Sequence, residues 1–99
     1  MIHREKNAEE QLLDMLKDQG WKVLETAPGN YKYHLSKNND SLLAVIHPTE
    51  FPGEVFMIGH CQLTANDLSI LASLATYAKV ECQKKEAKRN GQKDNNSSP

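Results

Sequence analysis

The chain has 99 residues, 38% of them hydrophobic, enough for a two-layer core in one small domain but too little to enclose a substrate cleft of ordinary size. Twelve basic residues against thirteen acidic ones leave a formal net charge of -1, so no global basic field draws in nucleic acid or an anionic membrane. The longest wholly apolar runs span five residues, and Met1-Ile2-His3-Arg4-Glu5 lacks the apolar stretch of a secretory signal; the sequence therefore predicts a soluble, cytoplasmic protein whose isolated Cys61 and Cys82 stay reduced.

Asn7, followed three residues later by Glu10, has capping-box character, and Ala8, Leu12, Met15 and Leu16 recur behind it at helical spacing, predicting a first helix over roughly 8–19. Gly20 is a natural left-handed stop that delivers Trp21 to the first strand. Strands over 21–26 and 31–36 flank Ala27-Pro28-Gly29-Asn30, whose Pro-Gly centre suits a type II turn. Lys37-Asn38-Asn39-Asp40 has turn composition and leads to Leu42-Leu43-Ala44-Val45-Ile46. That run and Val55-Phe56-Met57-Ile58 are apolar at consecutive positions, and the connection between them holds two prolines and a glycine, so they read as a second hairpin. Thr64 with Asp67 opens the last helix as an N-cap with a carboxylate in the positive first turn, and Leu68, Leu71, Ala72, Leu74, Ala75, Ala78 and Cys82 form its apolar stripe. The expected fold is α+β and two-layer: helix, four-stranded antiparallel meander, long C-terminal helix, as one domain over 1–89, with 90–99 a disordered polar tail.

In a meander the turns set Thr26 opposite Tyr31, Ser36 opposite Ser41 and Ile46 opposite Val55, and strict alternation then sorts the strand residues into two sets. Leu24, Tyr31, Tyr33, Leu35, Leu42, Ala44, Ile46, Val55 and Met57 fall on the face that the helices should cover. Trp21, Val23, Leu43, Val45, Phe56 and Ile58 fall on the other, inside a polar rim that includes Glu25, Lys32, His34, His47, Glu54 and His60. An apolar centre with an aromatic anchor and a polar rim is the anatomy of a protein interface. Those six apolar residues are therefore the predicted anchors for another protein or for a second copy of the chain in a homodimer.

No catalytic, cofactor or small-molecule signature is present. His47 and His60 sit at opposite ends of the second hairpin, ~20 Å apart, which excludes a shared zinc within one subunit. The adjacent pair His60-Cys61 points to opposite faces of a strand, so it makes no nucleophile and base. His47 is placed to face Glu54 across the hairpin. The reading is thus a non-catalytic module without cofactor or metal, acting as regulator, inhibitor or adaptor.

The second reading is nucleic-acid binding by Lys84, Lys85, Lys88, Arg89 and Lys93, which make the end of the last helix basic. Lys84-Lys85-Glu86-Ala87-Lys88 resembles the lysine motif of the double-stranded RNA-binding domain, whose order is helix, three strands, helix. In that family the motif opens the last helix, whereas here it closes it and a fourth strand is present, so the activity is not carried over.

Overall fold

A computed structural model of the protein describes residues 7–27, 29–37 and 42–97, with side chains in the last helix as far as Lys88. The elements run α1 (Ala8–Asp18), β1 (Trp21–Ala27), β2 (Lys32–Lys37), β3 (Leu43–Ile46), β4 (Phe56–Ile58) and α2 (Ala65–Ser97). The four strands form one antiparallel sheet in the order β1-β2-β3-β4, the expected meander.

Local chemistry sets the ends of α1. The Glu10 amide donates to Asn7 Oδ1 at 2.8 Å and the Asn7 amide to Glu10 Oε1 at 3.4 Å, a reciprocal capping box. Gly20, at φ 98°, takes the left-handed position that ends the helix. The inward stripe is Leu12, Leu13 and Leu16, and the predicted Met15 is exposed. On α2 the buried stripe is Asp67, Ile70, Leu71, Leu74, Ala75 and Ala78. Leu68 and Ala72, expected to be inward, face solvent, because the helix is rotated so that Asp67 points into the protein. The α2 backbone continues through 90–97, where polar composition alone predicts a disordered tail; past nucleation, each added residue costs only its own propensity.

One buried cluster joins Leu16 of α1, Trp21 of β1, Tyr33 and Leu35 of β2, Leu42, Ala44 and Ile46 on and beside β3, and the α2 stripe. No residue of β4 belongs to it. At its β1–β2 end lies a polar knot in which Asp67 is fully buried and Lys37 nearly so. Asp67 Oδ1 accepts from Trp21 Nε1 at 3.1 Å, and Oδ2 accepts from the Thr64 amide at 2.9 Å and from Lys37 Nζ. The Asp67 amide returns a bond to Thr64 Oγ1 at 3.0 Å. Burial works to raise the Asp67 pKa, but the bonds from Lys37, Thr64 and Trp21 outweigh it and the net shift is downward, so the carboxylate stays ionised. Lys37, expected in a linker, closes β2 instead and points inward with Tyr33 and Leu35. The Asn38–Asp40 linker itself lies outside the described residues.

Candidate protein-binding face

The β3–β4 register is the expected one, with Leu43 opposite Ile58, Ala44 opposite Met57 and Val45 opposite Phe56. Between β2 and β3 the pairing is displaced from the expected register by two residues (Ser36 opposite Leu43), which leaves every side chain on its predicted face. Leu43, Val45, Phe56 and Ile58 therefore lie together on the outer face. Phe56 and Ile58 are each 50% exposed, while Leu43 and Val45 are half-buried between their neighbours. Phe51, from the connection before β4, stacks on Phe56 with ring centroids 5.8 Å apart and an interplanar angle of 13°, extending the patch beyond the strand. Sequence reasoning missed Phe51; its place immediately before the Pro52-Gly53 pair, as the first residue of the turn that folds it back, was the available signal. That turn is closed by the Glu54 amide donating to the Phe51 carbonyl at 3.0 Å, with Gly53 at φ 78°.

The β1 half of the face is where strict alternation fails. The β1–β2 register shifts between Val23 and Glu25: Val23 pairs with Leu35, Glu25 pairs with His34, and Leu24 is the extra residue of a β-bulge. The bulge reverses parity upstream of itself. Trp21 and Val23, predicted as outer-face anchors, turn inward; Trp21 is 2% exposed in the core and Val23 packs against it. Leu24, predicted as core, stands 58% exposed. The physical reason is the indole: buried, it removes a large apolar area from water and still finds an acceptor for its N–H in Asp67. Tyr31 moves too, from strand to turn, with φ 58° and its ring edge-on to Tyr77 at 6.0 Å.

The rim is polar. His34 Nδ1 lies 3.3 Å from Glu25 Oε2 on the β1–β2 side. His47 does not meet Glu54 as expected; its Nδ1 accepts from the Glu50 amide at 3.2 Å, and Nε2 is 4.0 Å from Glu50 Oε1, so it braces the turn that follows β3. On the inner side, Tyr33 donates its hydroxyl to Glu9 of α1, and burial, with that carboxylate next in effect, holds the phenol far above its usual pKa. Burial also raises Tyr77, with Glu81 adding to it.

Of the basic residues on α2, Lys85 donates to the Gly29 carbonyl at the tip of the first hairpin, and Lys84 pairs with Glu81 at 3.1 Å. Lys88 is exposed; the side chains of Arg89 and Lys93 lie outside the described residues. Where the hairpin tip meets α2, a cleft of about 210 Å³ is lined by Asn30, Lys32, Thr49, Cys82 and Lys85, below the ~300 Å³ at which small-molecule sites begin. Among the described residues no group of three or more His, Cys, Asp or Glu is placed to hold a metal ion, and no helix is long and apolar enough to cross a membrane. Compared with protein-family models, with curated proteins and with solved structures, the chain matches none.

Proposed function

We propose that the protein is a small non-catalytic binding module, a regulator, inhibitor or adaptor, that docks another protein on the outer face of β3 and β4. The anchors are Leu43, Val45, Phe56 and Ile58, joined by Phe51. What supports the reading is one contrast within the sheet: Phe56 and Ile58 stay half-exposed on a regular strand beside half-buried Leu43 and Val45, with no helix over them among the described residues. Burying the exposed halves of Phe56 and Ile58 against a partner contributes on the order of 1 kcal/mol each. Such a cluster, ringed by Glu25, His34 and Glu50, has the apolar centre and wet rim of a protein contact.

Nucleic-acid binding through the basic end of α2 has less behind it, since Lys84 and Lys85 already have intramolecular partners. Affinity capture with wild-type and Phe56→Ala protein tests the main reading: the variant is expected to lose the partner while its helical circular dichroism is unchanged. Loss of the fold instead would make Phe56 a core residue and end the proposal. A steeply salt-dependent affinity for RNA or DNA, removed by neutralising Lys84, Lys85, Lys88 and Arg89, would move the function to α2.

A further inference from the structure

The two edges of the sheet are built differently. β1 is blunted as edge strands usually are, by a bulge at Leu24 and by the charged, exposed side chains of Lys22 and Glu25. β4 carries none of these devices: its three residues are Phe56, Met57 and Ile58, all exposed, and among the described residues it pairs only with β3. Met57 points to the inner side, opposite Ala44, yet is 36% exposed because the buried cluster stops short of β4. A strand that is apolar on both sides and open along its margin is a template for another strand.

We propose that the occupant is a second copy of this chain, joined β4 to β4 in an antiparallel pair about a two-fold axis through Met57, so that two four-stranded sheets become one of eight. This rests on reading the outer face as an interface and assigns its open margin to self-association. The pairing is self-complementary. Phe56 of each copy falls beside Ile58 of the other on the outer side, and the two Met57 side chains meet on the inner side, which accounts for all three exposures. The same axis brings the end of each β4 that Glu54 and Val55 lead into towards the end of the other where the chain bends at Gly59, φ 102°, into His60, so a carboxylate and an imidazole flank the contact at both ends. The outer patches of the two copies then run together around Phe51 and Phe56 into one platform. A contact this short lies below the ~1,200 Å² of ordinary stable interfaces, so the dimer has a dissociation constant of about micromolar order.

Sedimentation equilibrium on the full chain from roughly 5 to 500 µM reads this directly. The expected result is a monomer–dimer equilibrium whose dissociation constant rises about tenfold or more in Met57→Lys, which places two lysines on the axis. Glu54→Lys and His60→Glu should each weaken it, and the double variant should restore it. A monomer at every concentration, a mass that climbs past the dimer, or a dimer indifferent to Met57→Lys and Glu54→Lys overturns the proposal; circular dichroism establishes that each variant is folded. Val45→Asp separates the two ideas: one strand in from the margin, it should abolish docking of a different protein and leave the dimer intact. A monomeric chain whose captured partner is lost in Val45→Asp ends self-association and keeps the binding face.

Discussion

The β1–β2 end of the sheet and the β4 end make opposite use of similar residues. Each carries a large aromatic on a strand, Trp21 at one end and Phe56 at the other. Trp21 is enclosed, its N–H accepted by Asp67, with Lys37 Nζ 6.0 Å from the ring centroid and α2 starting alongside. Phe56 is half-exposed, and among the described residues Phe51 is the ring stacked on it. Hydrophobicity alone does not distinguish the two rings; what does is whether a second element supplies polar partners and cover. The first end is fastened by a polar knot, and the second, half-exposed, is the one proposed to meet a partner.

The largest effect should come from breaking the knot. Lys37→Ala leaves the Asp67 carboxylate buried without its cation, and urea unfolding should show a loss of about 3–5 kcal/mol. In dilute monomer Phe56→Ala should cost about 1 kcal/mol at most, so equal losses in the two variants would erase the contrast.

Acid sharpens the same point at intermediate size. The Asp67 pKa is lower in the folded protein than in the unfolded chain, so its stabilisation is complete above the unfolded value near 3.8 and is lost as pH falls through the folded one. The urea midpoint of the wild type should therefore drop below about pH 4 by more than that of Asp67→Asn, in which this carboxylate cannot titrate. Parallel pH profiles would mean that Asp67 does not hold this end of the sheet.

The smallest change is expected at the bulge. Leu24→Ser, at a side chain 58% exposed, should shift stability by no more than about 0.5 kcal/mol, where a core leucine truncated to a small residue costs about 2–5 kcal/mol. A loss in the larger range would restore Leu24 to the core and return Trp21 and Val23 to the outer face.

The order of elements, both helix starts, the glycine stop after α1 and the β3–β4 register were legible from residues alone, because caps and turns act over about four residues of chain and β3 and β4 are neighbours in sequence, joined through residues 47–55. Four of the six predicted anchors, Leu43, Val45, Phe56 and Ile58, follow from that register and lie on the outer face. Trp21, Val23, Leu24 and Lys37 were not legible in the same way. Their directions depend on Asp67, 46 residues beyond Trp21 and 30 beyond Lys37, and on a bulge whose extra residue looks like any other leucine in a list of alternating positions. Local spacing determines which segments become strands and helices. Only tertiary packing decides where a strand gives up one residue of register so that an indole and a lysine can share a buried carboxylate, because that gain exists only once α2 has docked.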